Sequence, residues 1–297
     1  MNIIGRKNLF FLISAIIIIP GLISLLLFGL KPAIDFTGGS ILDLSMTNAN
    51  KTKVEQLLTK EKVRVHSVMI SGSDVLIKTD PIEQPIKNKI EAGLKKEDPK
   101  LREKSFQTVG PSIGRETEVN AFKAVIIASI AITLYIAFAF RKVSKPVASW
   151  KFGVCAIIAL LHDVLVVVGI FSILGHFFNV EVDSLFITAL LTVMGFSVHD
   201  TIVVFDRIRE NLVKNFSLPF EDVVNNSLLE TLNRSLNTSL TVLIVLFALL
   251  LFGGESIRWF VAALLVGIIS GTYSSIFNAS PLLVLWYEWD KRKRSKI

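Results

Sequence analysis

The chain has 297 residues, 52% of them hydrophobic, with a mean hydropathy of +0.59, which is too apolar for a soluble domain. At 19% Asp, Glu, Lys and Arg it is also too charged to consist of membrane spans alone, so a helical bundle plus one soluble piece is expected. The net charge of +7 sits in Arg6 and Lys7, in Arg141, Lys142, Lys145 and Lys151, and in the tail KRKRSK. All of these flank apolar runs, the pattern that keeps loops in the cytoplasm; no aromatic residues interleave them as on a nucleic-acid surface.

The first long apolar run, Leu9 to Leu30, exceeds a signal peptide's apolar core and lacks a small-residue cleavage site, so it reads as a retained span. Pro20 and Gly21 predict a kink within it. Beyond it, residues 31–118 read as a small α+β domain. Strands are expected at Ser40 to Met46, Val63 to Ile70, Val75 to Thr79 and Ser105 to Val109, with helices at Lys51 to Lys60 and about Gln84 to Lys96. That order is βαββαβ, the ferredoxin-like pattern, too small to suggest a pocket large enough for catalysis. Two glycine-rich joints bracket the domain: IDFTGGS with Gly38 and Gly39, and VGPSIGRE with Gly110 and Gly114. Both are read as turns that orient the domain on its two membrane stalks.

Five more stretches approach the roughly 20 apolar residues a span requires: Ala121 to Phe140, Gly153 to Leu174, Leu185 to Phe205, Leu236 to Phe252 and Ile257 to Trp286. The predicted fold class is therefore an α-helical membrane protein of six transmembrane helices with a ferredoxin-like domain between helices one and two. Its organisation divides as 1–30, 31–118 and 119–297. Basic residues in 141–151, and none in 175–184 or 253–257, put both termini in the cytoplasm and the domain outside. The charged stretch Asp206 to Asn233 carries Ile208, Leu212, Phe216, Phe220, Val223, Val224, Leu228 and Leu232 at helical spacing and is expected to lie along the inner surface. Gly267 and Gly271, four apart, permit close helix approach.

Chemistry is concentrated in GFSVHDTIVVFDRIRE, Gly195 to Glu210. An ionised Asp near a span's centre costs about 2.5–3.5 kcal/mol on insertion scales, so Asp200 needs a partner or a proton. Arg207, two turns on, shares its face and can reach headgroups. The other buried ionisable groups are His162 and Asp163 in span three, His199 in span four and Arg234 at the mouth of span five. One reading is a proton relay in which a moving arginine switches Asp200; the other is that these groups only hold helices together. Packed, hydrogen-bonded imidazoles are expected at His162 and His199. The single Cys155 excludes an intramolecular disulfide, and the scattered histidines form no metal set.

IDFTGGS, VGPSIGRE, GFSVHDTIVVFDRIRE, TLNRSLNTSLT, LFGG and GTYSSIFNASPLL, spread over nearly the whole length, resemble the SecD/SecF family of protein-export membrane proteins, on its SecF side. The resemblance implies one half of a resistance-nodulation-division type transporter in the bacterial inner membrane, with no cofactor and no bond-breaking activity. It implies a SecD half on a separate chain, the SecYEG channel, unfolded precursor proteins and lipids as partners, and the proton-motive force as the driver of late translocation. It assigns Asp200 as the intramembrane carboxylate and Arg234 as its partnering arginine; Asp163 and His199, read from their burial alone, are expected to support them within the membrane. Asp206, Arg207 and Arg209 match the cytoplasmic-end charges. His199 departs from an Asn common in relatives and is expected to replace its hydrogen bond. The alternatives are a small-molecule or lipid efflux half-transporter, and a passive scaffold for SecD and the channel.

Overall fold

The structure is a computed structural model that describes residues 2–47, 49–141, 147–214 and 217–294. It divides into two compact units, Pro32–Lys123 and a second made of Met1–Lys31 with Ala124–Ile297.

In the first unit the order is α2 (Ile34–Thr37), β1 (Gly39–Ser45), α3 (Lys51–Lys60), β2 (Val65–Ser71), β3 (Asp74–Thr79), α4 (Gln84–Glu97) and β4 (Arg102–Val109). α1 (Lys7–Phe28) precedes it. All strand pairs are antiparallel in the order β2-β3-β1-β4, so βαββαβ holds. Strict alternation makes it so: in β3, Val75 and Ile77 point inward to Leu42, Leu44, Val54, Leu58, Ile90 and Leu94. Asn50 caps α3, its Oδ1 accepting from the backbone N–H of Thr52 (3.0 Å) and Lys53 (3.4 Å). Gly72, at φ +61°, makes the two-residue turn between β2 and β3.

Two expectations for this unit fail. IDFT is a turn of helix rather than a plain joint. The unit also holds an open cleft of ≈ 950 Å³ between α3 and α4, lined by Lys53, Leu57, Lys60, Lys89, Gly93 and Lys96 among others. The two helices approach closely at Gly93, where a Cβ would meet Leu57 at 2.4 Å, and Lys53 of α3 pairs with Glu97 of α4. Among the described residues no Ser, Thr, Cys, His or Tyr lines it.

The remaining helices are α5 (Pro111–Ala139), α6 (Ser149–Phe178), α7 (Ser184–Lys214), α8 (Phe220–Phe252), α9 (Glu255–Ser274) and α10 (Ser280–Arg294), the last two joined by a π-helical turn, Ser275–Ala279. Among the described residues, counting α1 and the joined last pair, 6 helices are long and apolar enough to cross a membrane. The unit boundary falls at Lys123, beyond the expected 118, because α5 starts at Pro111 and its first turns belong to the outer unit. Helix α1 continues through Pro20.

A seam between α1 and α6 organises the bundle. Ser14 meets His162, Gly21 meets Gly169, Ser24 meets Ser172 (2.9 Å), Phe28 stacks on His176 and Lys31 Nζ donates to Asn179 (2.9 Å). Each partner lies 148 positions further on, so the helices run in the same direction in fixed register. Gly267 and Gly271 act as expected: a Cβ at Gly267 would meet Val193 Cγ2 at 2.1 Å and one at Gly271 would meet Ser197 Cβ at 3.0 Å, so α9 lies directly on α7.

The segment after Asp206 does not lie along the surface. Helix α7 runs on to Lys214 and α8 starts afresh at Phe220, so the two spans extend as a hairpin. Ile208, Phe220, Val224 and Leu228 are buried with Leu283 and Val284 of α10. Their helical spacing, read as a membrane-facing stripe, faces protein instead. Phe216, like Lys142 and Lys145, lies outside the described residues, as does the end of the basic tail.

Candidate functional site

Two carboxylates are buried where five spans meet. Asp163 of α6 is 0% exposed and Asp200 of α7 is 6% exposed. Asp163 accepts four hydrogen bonds. Oδ1 takes Ser270 Oγ at 2.7 Å and His162 Nδ1 at 3.0 Å, while Oδ2 takes Ser197 Oγ at 2.5 Å and Ser274 Oγ at 2.7 Å. A carboxylate offers about four acceptor sites, so this one is filled. Asp200 accepts from Ser235 Oγ of α8 at 2.8 Å and Ser275 Oγ at 3.2 Å, leaving half its capacity open.

Local sequence explains the placement. Ser197 and Asp200 are one turn apart on α7 and share its inward face, Ser197 donating to Asp163 of α6 and Asp200 accepting from Ser235 of α8. Ser270 and Ser274 are four apart on α9 and fall on one carboxylate. Ser274 and Ser275 are consecutive, pointing about 100° apart, and so serve different carboxylates. The π-helical turn begins at this junction, as such turns often do at functional positions. Asp163 and Asp200, whose meeting the sequence did not predict, are thus linked through two neighbouring serines.

His162 is hydrogen-bonded, as expected, between Asp163 and Ser14 of α1 (3.1 Å). Ser14 in turn contacts Asn278 of the π-helical turn. Among the described residues no ion pair joins Asp200 and Arg234: the Arg234 side chain is exposed on α8, although its charge is near enough to act on the Asp200 carboxylate. It follows from position, since Ser235 takes the inward place on α8 and puts Arg234 outside. His199 is likewise exposed beside buried Asp200 and makes no hydrogen bond among the described residues, so it does not replace an amide's.

At the helix ends, Arg209 pairs with Asp206 (2.7 Å). Arg207 pairs with Glu210 (2.6 Å) and with Glu230 of α8, so it clamps the hairpin rather than reaching for headgroups. Asn211 strengthens the clamp, donating to Glu230 (2.9 Å) and Ser227 (3.0 Å). At the joints, Gly38 (φ +74°) and Gly39 (φ +138°) hold conformations that disfavour a Cβ. Gly110 is in open space, its carbonyl accepting from Gly114 N. Gly114 is not in a turn: it lies in the first turn of α5, where a Cβ would meet Gly38 N at 2.7 Å.

The residues that sequence reasoning missed are the hydroxyls: Ser14, Ser197, Ser235, Ser270, Ser274 and Ser275. A signal was present in the last two spans, where Ser235 and Ser239, and Ser270 and Ser274, recur at one-turn spacing.

Fold and site together define a multi-pass membrane protein whose bundle centre is built from charge and hydroxyls rather than hydrocarbon. The family model for the protein export membrane protein SecD/SecF, C-terminal, matches residues 89–289, and that for the SecD/SecF GG motif matches 23–49. The protein translocase subunit SecF of Thermobaculum terrenum is 49% identical, covering 98% of this chain and 95% of its own. That of Anaerolinea thermophila is 44% identical over 97% of this chain and 96% of its own. The crystal structure of SecDF, a translocon-associated membrane protein from Thermus thermophilus, matches with a TM-score of 0.83 at 34% identity, over 97% of this chain and 39% of that one. This chain therefore spans about two fifths of that protein's length. The chain belongs to the SecD/SecF family of protein-export membrane proteins.

Proposed function

We propose that this chain is a protein-export subunit that works with a SecD chain beside the SecYEG channel. It uses the proton-motive force to assist late steps in moving unfolded precursors across the bacterial inner membrane. The observation that carries the coupling is Asp200, 6% exposed inside the bundle with only two hydroxyl donors, so that a proton or a cation has room to complete it. Arg234 precedes Ser235 on α8, so a rotation of α8 exchanges a hydroxyl for a guanidinium at the carboxylate. Each elementary charge crossing the membrane supplies about 2.3 kcal/mol per 100 mV, so a few protons drive a sizeable movement. Gly38, Gly39, Gly110 and Gly114 frame the joints through which that movement reaches the outer domain.

Both termini are cytoplasmic in this reading, the domain is extracytoplasmic, and the chain makes or breaks no covalent bond. The bare face of α5, with 6% of its apolar window buried against 61% in the last span, is left for SecD and lipid. The test is precursor export in membrane vesicles holding this chain and its SecD, with and without an imposed proton gradient. The gradient is expected to accelerate the wild type but not Asp200→Asn, with assembly unchanged. Equal acceleration of both would make Asp200 structural and the chain a scaffold.

A further inference from the structure

We propose that His162 and Asp163 form a second proton-binding site in the bundle, in which His162 gains and loses the proton and Asp163 is its fixed counter-ion. The idea rests on the proton-coupled reading above for its purpose, though not for its geometry.

The argument begins with Asp163. A fully buried carboxylate in a membrane is costly unless a positive group balances it. Hydroxyls orient around the charge but do not cancel it. Among the described residues no Lys or Arg contacts Asp163, and the one group touching it that can become a cation is His162, with Nδ1 at 3.0 Å from Oδ1. The other three acceptor positions are occupied by Ser197, Ser270 and Ser274, so Asp163 has no open site of its own for a proton. The same arrangement, a carboxylate holding an imidazole's Nδ1–H and balancing the imidazolium, lets histidine take up protons in buried sites elsewhere.

The far side of the ring is built to follow either state. With His162 neutral, Nδ1–H donates to Asp163 and Nε2 accepts from Ser14 Oγ–H at 3.1 Å. When Nε2 gains a proton it donates to Ser14 Oγ. The Ser14 hydroxyl hydrogen then turns to Asn278 Oδ1, 3.1 Å away. One proton is taken up, one positive charge appears, and no other bond to hydrogen is broken. Asn278 can present either its oxygen or its Nδ2, at 2.8 Å, to Ser14, so both states are fully bonded.

The surroundings leave this role to His162. From α1 it meets neutral Ser14. From α9 it meets Tyr273, ring centroids 6.3 Å apart, whose hydroxyl donates to the Phe10 carbonyl at 2.7 Å. From α7, Ser197 reaches only Asp163, and the next carboxylate, Asp200, lies beyond Ser275. The charged Lys151 of α6, paired with Asp290 of α10, is three turns away along the helix. The His162 side chain is 11% exposed against 0% for Asp163, so the imidazole and not the carboxylate meets the edge of the network. The consecutive Ser274 and Ser275 then connect the site's charge to Asp200.

The test uses the full chain in lipid nanodiscs, labelled with ¹⁵N-histidine. The chain has 4 histidines, and the triple variant His66→Gln, His176→Gln, His199→Gln leaves His162 alone with its site intact. Asp163→Asn is expected to lower the doubly protonated fraction of the ring at least about tenfold. A ring with one proton throughout about pH 5–8 overturns the proposal even if Asp163→Asn fails to fold. So does an unchanged fraction in a folded Asp163→Asn. The vesicle assay separates this idea from the functional reading. If the wild type ignores the gradient while His162 carries two protons, proton-driven export fails and the site stands. If Asp200→Asn abolishes the gradient response while His162 carries one proton, only the second site fails.

Discussion

Replacing Gly169 with Ala tests the seam that brings Ser14 to His162. A Cβ there would lie 2.8 Å from Gly21 Cα and 3.1 Å from its carbonyl carbon, both backbone atoms that cannot rotate away. Ordinary contact begins near 3.4 Å, so α1 and α6 must part by roughly 0.6 Å, a gap that forfeits a quarter to a half of each packed contact's attraction. Overpacking of this kind costs about 1–3 kcal/mol. The Ser24 to Ser172 bond one turn on, at 2.9 Å, weakens as well, and interhelical bonds in membranes average about 0.6 kcal/mol. Alanine's better helix propensity returns about 1 kcal/mol. The net loss is about 1–2 kcal/mol, a fivefold to thirtyfold shift in the folded ratio. Gly195→Ala is the control: nothing lies within 4 Å of its Cβ position, so propensity acts alone and stability is unchanged or raised. Reversible unfolding in mixed micelles, followed by tryptophan fluorescence, measures both. Equal stability of the two variants would refute the close-approach argument.

Further outcomes follow from the same geometry. Gly267→Ala, driven into the stiff Val193 side chain at 2.1 Å, is expected to cost about 1–3 kcal/mol in the same assay, and Val193→Ala in the same chain is expected to recover part of it. In the outer domain, Gly38→Ala meets both a positive φ of +74° and Pro111 Cα at 3.0 Å, so it should lower the thermal midpoint of that domain while leaving span packing unchanged. Its pH dependence rests on Lys87 and Glu103, 2.5 Å apart. The hydrogen bond to Glu103 holds Lys87 above its ordinary 10.5, and that to Lys87 holds Glu103 below its ordinary 4.5. The pair's contribution is whole between those values. It falls away as pH drops through the lowered Glu103 value, and again as pH rises through the raised Lys87 value. Lys87→Met should flatten the acid limb, read from a fluorophore on an introduced Lys100→Cys; native Cys155 is buried. Ser235→Ala, which removes one of the two donors on Asp200, should change the gradient dependence of export more than it changes assembly.

Hydrophobic patterning by itself determined the six spans, the βαββαβ domain between the first two, and Asp200 as the residue needing explanation. These are local properties: period, length and the cost of a charge in hydrocarbon can all be counted along one chain. Helix ends were less legible, because α8 extends sixteen residues before the expected Leu236 where tertiary packing against α10 buries Phe220, Val224 and Leu228. The face of a polar residue was not legible at all. Arg234 and Ser235 are adjacent in sequence, and only the placement of α8 decides that the serine meets Asp200 while the arginine faces out. In the same way, serines on α7 and α9 look like ordinary small residues until the glycine contacts bring those helices close enough for three hydroxyls to converge on Asp163. Sequence sets which groups cannot be left alone in a membrane. The crossing of helices, fixed by where side chains are smallest, decides which group answers them.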